Sequence, residues 1–359
     1  MALRKPDPDF WRLRRVLLRQ GEPDRVPLIE FWCDREMMSA VLGEPIPGEW
    51  SSRQERERML DGVVRFWYVA GYDYVCIGPR VALHGKLHAA EDTAILKHER
   101  RHWQDEGIGV ISNWDEFERY TWPKPEEIDY YDVEYVASHL PDGMQVILSG
   151  DPAGQMEMLT ALMGYTGLSF ALHDDPSLVA AVADKAQELL TTIFATAAQI
   201  PGIGAMVLGD DMGFKTATMI SPADLRRYVL PCQKRLAEIS HAHGLPFLLH
   251  ACGELSAIMD DLIGDVQIDG KHSFEDVILP VTEAKKRYGD RVALLGGIDM
   301  DVLSRACEDE VRSYTRAVIE ACAPGGGWAL GTGNTLANYI PVRNYLAMLE
   351  TGWEVGRYH

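Results

Sequence analysis

The chain has 359 residues, 47% of them hydrophobic and 25% charged, which is enough apolar material for a large buried core. Its 35 basic and 54 acidic side chains leave a net charge of −19, which repels phosphate backbones and anionic bilayers and argues against nucleic acid or a membrane surface as a partner. Six dispersed cysteines in a chain of this size need no disulfide framework, so a reduced, cytoplasmic protein is the expectation.

Residues 1–20 mix arginines with Trp11, Leu13, Val16, Leu17 and Leu18 without an uninterrupted apolar run. That pattern predicts an N-terminal helix packed on the body, not a signal peptide or anchor. Short apolar runs ending in polar residues then recur at 25–32, 72–78, 145–151, 205–211, 246–252, 266–272, 292–298 and 327–332. Helical periodicity fills the intervals at 51–70, 178–199, 222–243, 255–263, 280–288 and 308–322, and a closing helix is expected over 344–357. Eight strand–helix repeats predict an α/β fold, a (β/α)8 TIM-type barrel forming a single domain over 1–359, with a doubly wound open sheet as the alternative. Residues 81–125 are too long for a simple connection and contain the turn-rich, alternating stretch from Trp103 to Ser112, which reads as an inserted β-hairpin. Following the second strand, it would lie as a lid over the C-terminal face, where loops build active sites. Its histidines, His84, His88, His98 and His102, read as solvated loop residues.

The fifth run ends in His250-Ala251-Cys252-Gly253. Side chains alternate along a strand, so His250 and Cys252 share a face at the catalytic end and could share one metal ion, imidazole and thiolate both being good zinc ligands. A catalytic zinc needs at least one further donor. Among the other cysteines only Cys33, just past the first strand, approaches the right rim; Cys76 lies within the second strand, Cys232 and Cys307 on outer helices and Cys322 at the opposite face. Better placed are Glu275 or His272 beyond the sixth strand and Asp210 or Asp211 at the end of the fourth, as ligands or as groups orienting His250. The same carboxylates could instead cap helices or pair with Lys215 and Lys271. Asn334 after the eighth strand, Asp299 after the seventh and Glu30 in the first are candidate substrate contacts, with helix capping the alternative for Asp299. The Gly325–Gly327 run precedes its strand and lacks the spacing of a phosphate loop; no Gly-x-Ser-x-Gly elbow or dinucleotide fingerprint is present.

Asp24-Arg25-Val26-Pro27, Ile220-Ser221-Pro222, His250-Ala251-Cys252-Gly253, Leu294 through Asp299 and Gly325 through Gly331 together resemble the uroporphyrinogen-decarboxylase-like superfamily over nearly the whole chain. The resemblance implies a (β/α)8 barrel and two possible chemistries. Decarboxylases of the superfamily carry an Arg-Gln-Ala-Gly-Arg motif where this chain reads Cys33-Asp34-Arg35-Glu36-Met37, a catalytic Asp where it has Ile77-Gly78-Pro79, and a His where it has Thr332. The His-x-Cys-Gly motif is similar to that of the zinc methyltransferases that exchange a methyl group with a corrinoid protein, which implies zinc on His250 and Cys252, with Glu275 a candidate third ligand. That branch's third cysteine falls near Thr332. The leading expectation is therefore corrinoid-linked methyl transfer to or from a small methylated substrate or thiol acceptor, with Asp210, Asp211, His272 and Glu275 as candidate catalytic residues. The alternatives are a metal-free lyase acting through Asp210, Asp211 and His272 on a carboxylated substrate, and a non-catalytic tetrapyrrole- or corrinoid-binding protein.

Overall fold

Runs of Val, Leu and Ile covered on both faces form parallel strands. The computed structural model of the protein, which describes residues 5–83, 87–90, 94–96, 101–104, 107, 109–149 and 152–358, contains nine strands among them. They are β1 (Tyr74–Ile77), β2 (Leu87–Ala90), β3 (Arg101–Gln104), β4 (Gln145–Ser149), β5 (Ile203–Gly209), β6 (Phe247–His250), β7 (Gly270–His272), β8 (Ala293–Leu295) and β9 (Trp328–Ala329). Seven form one sheet in the order β1-β4-β5-β6-β7-β8-β9, every neighbouring pair parallel. Sequential strands thus lie side by side, joined by helices such as Pro176–Ala197 and Glu308–Cys322 that cover the outer face.

The expected first strand, 25–32, is not a ladder strand. Pro27 has no N–H to donate, and on the β9 side the segment makes only isolated parallel bridges, Leu28 with Leu330 and Cys33 with Leu336. On the β1 side a side chain stands in for a strand: the Tyr74 hydroxyl accepts the Glu30 N–H at 2.6 Å and donates to the Glu30 carbonyl. Residues 28–33 therefore lie between the two edges of the sheet and curl it closed.

Other departures have equally local causes. The helix expected over 222–243 is broken into Pro222–Tyr228 and Leu230–Ala242 because Pro231 cannot donate into the preceding turn. The helix expected over 255–263 shrinks to the single turn Met259–Asp261, which widens into Leu262–Val266 and stops at Gln267, whose φ is +64°. The closing helix begins at Val342, after Pro341, and ends at Val355. At the N-terminus, helix Phe10–Leu17 is anchored by Arg12, which pairs with the buried Asp73 at 2.7 Å. In the 81–125 insertion, β2 and β3 pair antiparallel, with Trp103 inside β3; Val110 and Ile111 donate to the Leu162 carbonyl. Leu96 donates its N–H to the carbonyl of Asn338 and accepts from that residue's side-chain amide, tying the insertion to the loop after β9. The side chains of His84, His88, His98 and His102 lie outside the described residues, as does Asp151. Among the described residues no helix is long and apolar enough to cross a membrane.

Tyr74→Phe is expected to lower the unfolding free energy by about 1–3 kcal/mol, the cost of leaving a buried N–H and C=O without partners. Urea denaturation measures it, and a change of only a few tenths would show that the seam does not depend on the hydroxyl.

Candidate metal centre

β5, β6 and β7 end beside one another, with Gly209 in register with His250 and His250 in register with His272. Residues in register on parallel neighbours leave the same face, so the two imidazoles project together into the mouth of the curled sheet. Two positions on, Asp211 and Cys252 share that parity. Among the described residues, Asp211, His250 and Cys252 form a group whose candidate ligand atoms all lie within 4.8 Å of one another. His250 Nε2 is 3.5 Å from Cys252 Sγ and 3.6 Å from Asp211 Oδ1. Asp211 is anchored by the Cys252 backbone N–H, which donates to its carboxylate at 2.7 Å.

Two glycines permit this approach. Gly253 has a φ of +89°, and a Cβ there would lie 2.2 Å from the Gly213 backbone. The loops after β5 and β6 can touch only because neither residue carries a side chain, and that contact brings Asp211 under Cys252. At Gly209 the missing Cβ leaves room for Trp32, whose ring packs edge-on against His250 with centroids 4.8 Å apart.

The sulfur receives two hydrogen bonds besides its contact with imidazole: Ser273 Oγ and Asn334 Nδ2 each donate to Cys252 Sγ at 3.3 Å. Ser273 achieves this in a left-handed conformation, φ +82°, which a non-glycine residue adopts at a cost of about 1–3 kcal/mol and retains where its surroundings hold it. Burial pushes the Cys252 thiol up to about 12, with the Asp211 carboxylate adding to the effect. A carboxylate oxygen, an imidazole nitrogen and a sulfur gathered within 4.8 Å of one another form a donor set suited to a divalent cation, which would take the place of the thiol proton. One carboxylate and one thiolate would balance its two charges.

The remaining sequence candidates divide. Asp210, of opposite parity to Asp211, is fully buried against the helices: Oδ1 accepts the N–H groups of Met156 and Glu157, capping helix Gln155–Met163, and Oδ2 accepts from Gln233 at 2.7 Å. Asp299 caps helix Met300–Arg305 and accepts the Asp276 N–H. Neither reaches the group of Asp211, His250 and Cys252; Asp299 caps the helix that follows it, as the alternative had it, whereas Asp210 binds the start of a helix that precedes its strand. Glu275, expected as the third ligand, is not in the group; its third member is Asp211. Glu275 instead lines a neighbouring pocket with Gly253, Glu254, Lys271, Ser273 and Tyr288. Lys271 is buried there over the Phe274 ring, and desolvation brings its ammonium down to about 8. Cys33 hydrogen-bonds to the Asp34 carbonyl at 3.6 Å and stays apart.

Glu30, expected to touch substrate, is buried behind the site. Its oxygens meet the N–H and the hydroxyl of Thr332, each at 2.7 Å. The Thr332 hydroxyl has one proton and also faces the Asn334 carbonyl, which can only accept. Both contacts are satisfied when Glu30 is a neutral carboxylic acid that donates to Thr332 Oγ1 while the hydroxyl donates to Asn334. Burial points the same way, raising the Glu30 pKa from 4.5 to about 8. Ser273 and Trp32 were not apparent as site residues in the sequence; parity with Glu30 marks Trp32, whereas no local signal marks Ser273.

The uroporphyrinogen decarboxylase (URO-D) family profile matches residues 109–354. A uroporphyrinogen decarboxylase of Streptomyces avermitilis is 28% identical over 191 residues, 52% of this chain and 48% of that one. The methylcobamide:CoM methyltransferase MtaA of Methanosarcina barkeri is 30% identical over 132 residues, 36% of each chain. The matches thus span about half, or less, of these relatives' own length. A solved methyltransferase from Methanosarcina mazei superposes with a TM-score of 0.69 at 15% identity, covering 96% of this chain and 97% of that one, a likeness of fold.

A carboxyl whose folded pKa is raised stabilises the fold below its unfolded pKa and loses that contribution as pH climbs through the folded value. Glu30 should therefore make the protein less stable as pH rises from about 4.5 through about 8. Glu30→Gln, neutral at all pH, is expected to show a smaller fall in urea midpoint between about pH 5.5 and about pH 8.5 than the parent. Equal falls would mean that Glu30 is not protonated in the fold.

Proposed function

We propose, on the premise that this chain belongs to the uroporphyrinogen decarboxylase family, that it transfers a methyl group between a small substrate and the cobalt of a corrinoid carried by a partner protein, at a zinc site made by Asp211, His250 and Cys252. The convergence of those three side chains carries the proposal. Three ligands with one open position are the pattern of catalytic zinc, which when bound supplies Lewis acidity to a substrate oxygen, nitrogen or sulfur. In this reading the ring is a (β/α)8 barrel in a single domain over 1–359, residues 28–33 are its first strand, and the 81–125 insertion is the lid.

Each residue has a distinct part. Asp211 and Cys252 bring the negative charge that offsets a dication, and His250 brings a neutral nitrogen. Ser273 and Asn334 hold the sulfur in place and spread its charge. Glu275 and Lys271, beside the centre, are positioned to meet the polar part of the substrate. The candidate substrates are methoxylated aromatics, methylamines, methanol and thiols. In demethylation to a reduced corrinoid, the substrate heteroatom keeps the bonding electron pair and takes up a proton; methylation of a thiol is the reverse exchange. The methyltransferase relative supports this direction, and so do Cys33 through Met37, Ile77 through Pro79 and Thr332 standing where decarboxylases carry their own motifs. The lyase alternative needs Asp210 as a free acid or base, whereas both its oxygens are engaged.

Purified protein supplemented with zinc is expected to hold one ion per chain by elemental analysis, and Asp211→Ala and Cys252→Ala to lose it, while Glu275→Gln retains it. Methyl transfer to free cob(I)alamin from a panel of methoxylated aromatics and methylamines then reads the activity. No bound metal after supplementation sinks the zinc centre, and turnover of a porphyrinogen in place of methyl transfer identifies a lyase.

A further inference from the structure

His250 and His272 meet nitrogen to nitrogen, Nδ1 against Nδ1 at 2.7 Å. A hydrogen bond between two ring nitrogens requires one protonated and one bare. The far end of His272 decides which. Its Nε2 lies 3.2 Å from the Thr332 carbonyl, which also accepts the Gly297 N–H at 3.2 Å. A carbonyl has no proton to give, so His272 Nε2 carries the hydrogen. His272 is fully buried, with the Phe31 ring edge-on at 4.9 Å, and among the described residues its ring nitrogens have Thr332 and His250 as hydrogen-bond partners. Both rings are buried, where a charge would lose its hydration, and a neutral imidazole carries a single N–H. His272 Nδ1 is therefore bare and accepts from His250 Nδ1–H. His250 Nε2 is left with its lone pair facing Cys252 Sγ and Asp211 Oδ1.

We infer that His272 is a positioning residue that sets the tautomer of His250, passing on the acceptor character of the Thr332 carbonyl so that His250 presents a bare Nε2 to the centre. The tautomer belongs to the metal-free protein, and its consequence for metal affinity rests on the zinc reading above. With His250 in the opposite tautomer, Nε2–H would point into the donor set and block it, and restoring the ligating form would weaken binding. Partners that orient a ligating histidine in this way are worth about 10- to 100-fold in metal affinity.

The test is a long-range 15N–1H correlation spectrum of the metal-free, histidine-labelled full chain near neutral pH. His250 is expected to be protonated at Nδ1 and His272 at Nε2, with assignments from His250→Gln and His272→Gln. Zinc affinity is then read by competition with a chromogenic chelator. His272→Ala should lower it about 10- to 100-fold, while His272→Gln, whose amide oxygen can accept from His250 Nδ1–H, should recover most of the loss. Because the first measurement is made on the unmutated protein, a variant that fails to fold leaves the test intact. The reverse tautomers, or unchanged affinity in a folded His272→Ala, overturn the inference. The stated tautomers in a protein that binds no zinc uphold the assignment and overturn the zinc reading alone.

Discussion

Thr332 is the residue on which the rest of the mouth depends, because its groups leave few choices to their partners. Its N–H meets Glu30, its hydroxyl lies between Glu30 and the Asn334 carbonyl, and its own carbonyl accepts from His272. A carbonyl that can only accept stands at the end of each branch. The proton positions on Glu30, His272 and His250 follow from those fixed ends, and buried networks of this kind hold one arrangement because any unpaired member is costly. The segment that closes the sheet and the pair of histidines in its mouth are therefore parts of one hydrogen-bonded assembly.

The centre itself is a compromise between chemistry and backbone. A carboxylate oxygen is a harder donor than the cysteine sulfur expected near Thr332 from the resemblance, and it comes from the opposite flank of β6. It reaches the site through the close contact of Gly213 and Gly253 and is held by the Cys252 N–H. Ser273 adds a second device, a left-handed turn that delivers its hydroxyl to the sulfur. Local strain of this kind is kept where surrounding contacts over-determine it, and here the Lys271 ammonium also bonds the Ser273 carbonyl.

Period-2 alternation was sufficient to place His250 and Cys252 on one face at the end of a strand, and the repeating apolar runs were sufficient for the parallel sheet. Alternation alone could not separate Asp210 from Asp211, because that distinction needs the register between β5 and β6, a long-range property. Once Gly209 is opposite His250, parity assigns Asp211 to the mouth and Asp210 to a helix cap. Glu275 looked equivalent to Asp211 from its place after a strand, but the turn at Ser273 sends the chain toward the neighbouring pocket. The missing first strand was hidden for a similar reason: its partner on one side is the tip of Tyr74, which no pattern of apolar residues reveals.

The seam at residues 28–33 also orders events in time. Its backbone bonds run to Leu330 and Leu336, some three hundred residues later in the chain, so they cannot form during synthesis until nearly all of the sheet has been made. Until then the edge of β1 is an unpaired template of the sort that recruits other chains. A segment from early in the sequence is thus sewn in late, and the step that closes the seam also sets Glu30 against Thr332. Closure of the ring and completion of the pocket are then a single folding event.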